Sequence, residues 1–268
     1  TQRPDLTVMG AWSGLEIACW DILGKDRDRP VHALIGGRTN DRIRAYTYLY
    51  PQAHHELPAF WGNADLAAES AIVLVDQGYT AVKFDPAGPY TIRGGHMPSR
   101  HDIATSVAFC KAIRDAVGDR ADLLFGTHGQ FSTAGAIRMG QAIAHYDPLW
   151  YEEPIPPDNT HEMSKVAAKT GIPIATGERL TTRAEFAPVL RAGAASILQP
   201  ALGRCGGIWE AHKIAVLAEA YNAQIAPHLY AGPIEWAANI QLAAAIPNIL
   251  MAETIETPFH FDLIKHTL

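Results

Sequence analysis

Hydrophobic and polar positions alternate between two periods along this chain. Residues Trp12 to Lys25 (WSGLEIACWDILGK) place Trp12, Leu15, Ile17, Ala18, Trp20, Ile22 and Leu23 at helical spacing. Two tryptophans on one short helix call for a large surface to bury against. Gly36-Gly37 closes this first segment, and Ile43 to Tyr50 then alternates like a strand. Short β-like runs follow at Thr80–Asp85, Asp122–His128, Leu149–Glu153, Pro173–Glu178, Ser196–Pro200, Gln224–His228 and Ile249–Ile255. Between them lie amphipathic stretches at Asp65–Gln77, Asp102–Val117, Thr133–His145, Met163–Lys169, Arg183–Arg191, Gly207–Tyr221 and Ile234–Ala245. Strands separated by helices imply parallel pairing, because a parallel neighbour needs a crossover. Eight such units in about 210 residues predict a TIM-type (β/α)8 barrel rather than an open doubly wound sheet. No GxGxxG follows the first strand, which counts further against the open sheet.

The 268 residues carry 22 Lys+Arg against 28 Asp+Glu, a net charge of −6. This balance argues against a nucleic-acid partner, which needs a concentrated basic surface. No run of 18 apolar residues is free of polar interruption, so no membrane span is expected. Cys19, Cys110 and Cys205 are odd in number and scattered. They read as buried small hydrophobes in a reducing compartment, and the expected location is the cytoplasm. The chain starts without Met or a signal-peptide core, and is expected to be a piece of a longer protein.

In a barrel of this type the C-terminal strand ends face the active site. Here six of them carry ionisable groups. Strand two ends in Lys83-Phe84-Asp85, with both charges on one face by the two-residue period. Strand three ends in Gly126-Thr127-His128, strand four in Glu152-Glu153-Pro154, and strand five in Gly177-Glu178-Arg179. Strand seven ends in Pro227-His228, and strand eight carries Glu253. Several acids converging on one mouth repel unless a cation holds them, and Asp/Glu oxygens suit Mg²⁺.

These motifs resemble the mandelate racemase/muconate lactonizing enzyme branch of the enolase superfamily. The likeness rests on GLEIACWDILGK with LIGGR, AVKFD, YEEP, TGERL, SILQP with the following CGG, APHLYAGP and the Glu253 strand, from Trp12 to Glu256. It implies abstraction of the proton α to a carboxylate, with one Mg²⁺ binding the substrate and stabilising the enediolate. It assigns Glu152 and Glu178 as metal ligands, with Glu153 as the alternative to Glu152. It also implies an N-terminal α+β cap domain, of which residues 1–40 would be the last helix and linker, leaving 41–268 as the barrel. A small-molecule sugar acid as substrate and a homo-oligomer follow from the same likeness.

The sequence departs from the family pattern at three places. Strand three carries Gly126 where a carboxylate is expected, while His128 survives two residues on. In galactonate and gluconate dehydratases similar to this chain, a His there protonates the departing 3-hydroxyl. His128 is therefore assigned as general acid, with a third metal ligand as the alternative. His228 is the expected base, but Ala201 stands where its Asp partner belongs. Strand two reads Lys-x-Asp instead of Lys-x-Lys. Lys83 is retained as a catalytic cation facing the substrate carboxylate. Asp85, Glu253 and Arg179 are assigned to substrate binding. One-base elimination stays open while two-base racemisation does not. The implied reaction is dehydration of a sugar acid. The alternatives are a cycloisomerase opening an anhydro-sugar acid, and an impaired homologue lacking the carboxylates replaced by Gly126 and Ala201. A long loop, 86–99, follows strand two and offers Tyr90, Arg93 and His96 to a hydroxylated acid.

Overall fold

A computed structural model describes residues 5–85 and 95–255. Tyr90 and Arg93 lie outside the described residues. All eight expected strands form: β1 (Ala45–Tyr48), β2 (Ala81–Phe84), β3 (Asp122–Gly126), β4 (Pro148–Glu152), β5 (Ile174–Thr176), β6 (Ile197–Leu198), β7 (Gln224–Ile225) and β8 (Ala252–Thr254). Their order in the sheet is β7-β6-β5-β4-β3-β2-β1-β8. A long helix α1 (Leu6–Arg27) precedes β1. Seven helices then fill the successive crossovers: α2 (Ala64–Asp76), α3 (Arg100–Val117), α4 (Thr133–Ile143), α5 (Thr160–Thr170), α6 (Thr182–Arg191), α7 (Ile208–Glu219) and α8 (Pro233–Ala245). This is the α/β alternation of a TIM-type barrel.

Local chemistry sets the helix limits. Ser99 and Asp102 form a reciprocal capping box at the start of α3, and Gly118 ends it at φ 55°. Asn63 and Ser132 cap α2 and α4 more simply, each with a side-chain oxygen that accepts first-turn amides. The chain divides into two compact units. One holds the chain up to Ala45, Gly177–Arg191 and the chain from Ser196 on; the other holds Tyr46–Thr176 and Ala192–Ala195.

In the second unit, β1 to β5 pair in parallel, with Lys83 opposite Leu124 and Gly126 opposite Glu152. Every residue of β2 is buried, including Lys83 at 1% exposure. Burial on both faces is what parallel strands under helices require. Trp150, Tyr46, Phe125 and Tyr151 fill the core beside it, with Tyr46 edge-on to Trp150.

In the first unit, β6 pairs with β7 in parallel, and Ala201 bridges His228 beyond the regular strands. Ile225 bridges Ile249, and Ala252 donates to the Arg44 carbonyl. The face that α1 buries differs from expectation. Met9, Ser13, Ile17 and Gly24 are buried, whereas Trp12, Leu15 and Ile22 are 61%, 67% and 66% exposed. The cause is polar. Glu16 accepts the Ile208 and Trp209 amides at 2.7 and 2.9 Å, and Ser13 Oγ accepts the Gly206 amide at 3.0 Å. Orphan donors at the start of α7 thus choose the helix face. Cys19 is exposed, contrary to its reading as a buried residue, while Cys110 and Cys205 are buried as expected. Among the described residues, no helix is long and apolar enough to cross a membrane.

Candidate active site

The end of β4 holds Glu152 in the core of its unit, 2% exposed. Its Oε1 lies 2.6 Å from Lys83 Nζ, and its Oε2 accepts Trp150 Nε1–H at 3.1 Å. The Lys83 ammonium also stands 5.6 Å from the Tyr48 ring centroid. Lys83 was expected to face substrate; the structure pairs it with the carboxylate of the neighbouring strand end.

Asp85, two residues past Lys83, reaches the end of β3. Its Oδ2 lies 2.8 Å from His128 Nδ1, with the Asp85 side chain 2% and the His128 side chain 36% exposed. His128 sits at φ 50° and Gly129 at φ 73°, a left-handed turn uncommon for a residue with a Cβ. Its neighbours lock the turn. Thr127 Oγ1 donates toward the Glu152 and Glu153 carbonyls at 2.9 and 2.7 Å, and the Gly129 amide donates to the Glu153 carbonyl at 2.6 Å. Such strain persists where surroundings over-determine it, and it clusters at functional positions. Glu153 is fully buried and accepts from Thr176 Oγ1 at 3.1 Å. Burial, and then the charge of Asp85, hold the Tyr151 phenol well above its ordinary pKa, so it stays neutral.

The other unit builds a second cluster. His228 Nδ1 lies 3.1 Å from Glu253 Oε2 and 3.5 Å from Glu178 Oε2, with all three side chains nearly buried. Glu253 also accepts the Leu229 amide at 2.7 Å. Where the sequence offers no carboxylate at Ala201, Glu253 and Glu178 are the acids that face His228 Nδ1. Arg179 is half-buried beside Glu178 in sequence. Gly177, at φ 144°, must stay small, because a Cβ there would meet Phe186 at 2.6 Å and the Gln199 backbone at 2.9 Å.

Mg²⁺ binds oxygen ligands and commonly takes one or two carboxylates, completing its shell with water and substrate. Glu152 and Glu178 are each of that type. Each Glu152 oxygen that accepts one hydrogen bond keeps a further lone pair. Gly126 contributes no donor. Its Cβ position would lie 3.5 Å from Lys83 Cε and 3.7 Å from Asp85 Cβ, so Asp85 borders the space where the family's third carboxylate would begin.

Elsewhere, among the described residues, His54, His55 and Glu69 are the three acid or imidazole side chains near enough to share one ion. The tautomer opposes it. His55 Nδ1 accepts the Gln52 amide at 3.1 Å, so the neutral ring carries its proton on Nε2, the atom facing Glu69 at 3.4 Å. The hydrogen bond from His54 is the main influence lowering the Glu69 carboxyl below its usual range. His96, assigned to substrate contact, donates its amide to Gln130 and packs its ring 5.5 Å from Phe131.

Parallel strands crossed by helices, with acids and imidazoles at the strand ends, define a barrel of the enolase class. Residues 65–268 match the family described as Enolase C-terminal domain-like, and the chain belongs to that family. It is 36% identical over 250 residues to the D-xylonate dehydratase of Haloferax volcanii, covering 92% of this chain and 59% of that protein. It is 34% identical over 256 residues to the D-galactonate dehydratase of Variovorax paradoxus, covering 94% of this chain and 62% of that one. Among solved structures, a mandelate racemase/muconate lactonizing enzyme from Sulfitobacter sp. superposes with TM-score 0.97 at 77% identity, over 99% of this chain and 67% of the other. A similar protein from Roseovarius sp. TM1035 gives TM-score 0.97 at 73% identity, with the same coverage. The chain therefore spans about three fifths of the length of the curated relatives it matches.

Proposed function

We propose that the full-length protein is a Mg²⁺-dependent dehydratase of sugar acids, acting on a small molecule in the cytoplasm as a homo-oligomer. Two imidazoles at strand ends, each paired to a buried carboxylate, carry this reading. The names of the relatives, dehydratases of D-xylonate and D-galactonate, supply the substrate class.

His228 Nε2 takes the proton α to the substrate carboxylate. His128 gives its Nε2 proton to the 3-hydroxyl, which leaves as water. One imidazole gains the proton that the other loses, and the enol product tautomerises to a 2-keto-3-deoxy acid. Glu152 and Glu178 would hold Mg²⁺, and the ion supplies positive charge to the substrate carboxylate when bound. Lys83 offsets the charge of Glu152 in the core. Arg179 and Glu253 border the polyhydroxy acid, whereas Asp85, expected to do the same, is enclosed and turned to His128. Residues 1–40 form the end of a cap domain, and 41–268 the catalytic barrel.

The test is to incubate the full-length protein and Mg²⁺ with D-xylonate, D-gluconate and D-galactonate, and to trap 2-keto-3-deoxy acid as its semicarbazone. The reading expects product from at least one acid, lost in His228→Asn and His128→Asn. An isomer formed without loss of water from an anhydro-sugar acid would replace dehydration by ring opening. No 2-keto acid from any substrate would overturn the proposal.

A further inference from the structure

We infer that Asp85 is a positioning residue for His128. It fixes the proton on Nδ1 and so presents Nε2 as the nitrogen that exchanges a proton with substrate. This rests on the dehydratase reading for its consequence, but its geometry stands independently.

Three observations converge on it. First, the two side chains meet across the ends of adjacent parallel strands. Phe84 pairs with Phe125, so the strand ends run alongside each other, and Asp85 Oδ2 comes 2.8 Å from His128 Nδ1. At that distance an acceptor-only carboxylate requires a proton on the nitrogen. Second, the carboxylate is enclosed while the ring is not: the Asp85 side chain is 2% exposed and the His128 side chain 36%. A buried acid that anchors one ring nitrogen leaves the other to the substrate side. Third, Gly126 on β3 puts Asp85 at the strand-three end, within contact distance of the place where a side chain would start. Its missing side chain would begin 3.7 Å from Asp85 Cβ and 3.5 Å from Lys83 Cε. The carboxylate at this end of the two strands is thus the one on strand two, and it faces the imidazole of strand three.

The turn at His128 supports the same role. Its left-handed backbone is held by Thr127 and Gly129 bonding to the end of β4, so the ring is located from both its backbone and its Nδ1. In the elimination step the imidazolium gives its Nε2 proton to the departing oxygen, forming water. The remaining Nδ1 proton stays on the ring, donated as a hydrogen bond to Asp85, so the ring is left neutral in the Nδ1–H form.

The experiment is imidazole ¹⁵N NMR on the full-length protein labelled at histidine, at a pH where the rings are neutral. His128 is assigned by its disappearance in His128→Asn. The expected spectrum shows His128 as the Nδ1–H tautomer, opposite to the preference of histidine free in water. In Asp85→Asn, whose amide can donate to Nδ1, that tautomer is lost. In the same variant, elimination falls by about 10²–10⁴-fold, while exchange of the substrate α-proton in D₂O continues. An Nε2–H tautomer in the wild type overturns the inference whether or not a substrate has been found, and needs no variant to fold. Loss of Mg²⁺ binding in Asp85→Asn, by calorimetric titration, with the His128 tautomer unchanged, overturns it in a different way. Asp85 would then be a ligand standing in for the acid absent at Gly126. Failure of every sugar acid in the wild type, with the Nδ1–H tautomer present, would remove the dehydratase reading and leave the dyad standing.

Discussion

Replacing Lys83 by Met tests whether the core around Glu152 is sealed. The ammonium and carboxylate are 2.6 Å apart, 1% and 2% exposed. Removing one partner of such a pair leaves a buried charge without compensation, a loss of about 3–5 kcal/mol. Trp150 Nε1–H still donates to the other oxygen, so the lower part of that range, about 3–4 kcal/mol, is expected. For a chain of this size that is a fall in Tm of about 6–16 °C. Urea unfolding of wild type, Lys83→Met and Lys83→Met/Glu152→Leu gives the comparison. The double variant should recover most of the loss, because an apolar pair of similar volume removes both charges. Mg²⁺ should restabilise the single variant and not the double one, since a cation at Glu152 supplies the charge the lysine gave. A loss under about 1 kcal/mol in the single variant would place the pair in the class of solvent-screened bridges and refute the reasoning.

Three further outcomes follow from the geometry. Gly126→Asp, whose Cβ meets its neighbours at ordinary contact distances of 3.5–3.7 Å, should tighten Mg²⁺ by about 10-fold or more in a calorimetric titration; unchanged affinity would mean that position does not face the ion. Gly207→Ala should cost about 3 kcal/mol in urea unfolding, because φ is 88° and a Cβ would lie 1.9 Å from Glu16 Oε2, which caps α7; a loss below 1 kcal/mol would show that Glu16 is not fixed there. Burial raises the Glu235 pKa against the opposing Gly203 amide, so the native state binds this proton more tightly than the unfolded chain. Its stabilisation is present below the ordinary carboxyl pKa and is lost as pH rises through the raised value. Glu235→Gln should therefore gain stability over wild type on going from pH 4 to pH 7.5, and a difference that shrinks with pH would contradict this.

The alternation of periods made the strands and helices legible, because barrel strands are short apolar runs and their crossovers are amphipathic. Strand extent was less so. β6 and β7 were expected over five residues each and are regular for two, with the bridge from Ala201 to His228 continuing beyond them. Single hydrogen bonds from the Ala226 amide to Leu198 and the His228 amide to Pro200 carry the pairing on past the regular strands, and apolar patterning does not separate the two. The face of α1 was misread for a different reason. Counting apolar residues favours Trp12 and Leu15, whereas hydrogen bonding by Ser13 and Glu16 to α7 decides the outcome. At the strand ends, the sequence could place Lys83 and Asp85 on one face. It could not say which partner each finds, because Glu152 lies 69 positions on and His128 43 positions on from them. A parallel register between β2 and β3, with Gly126 beside Asp85, was the signal from which the second pairing could have been foreseen. The sequence has no acid at Ala201 to face His228, and the acids nearest its Nδ1 are Glu253 on β8 and Glu178 after β5, which lie 25 positions on and 50 positions back.

The most direct measurement of the central claim is exchange of the substrate α-proton. The full-length protein with Mg²⁺ in D₂O would be followed by ¹H NMR across aldonates, aldarates and anhydro-sugar acids. Deuterium should enter at C2 of at least one acid, and His228→Asn should abolish that while His128→Asn stops only the loss of water. No exchange with any acid, together with no Mg²⁺ uptake, would mean that Gly126 and Ala201 mark a barrel that no longer performs this chemistry.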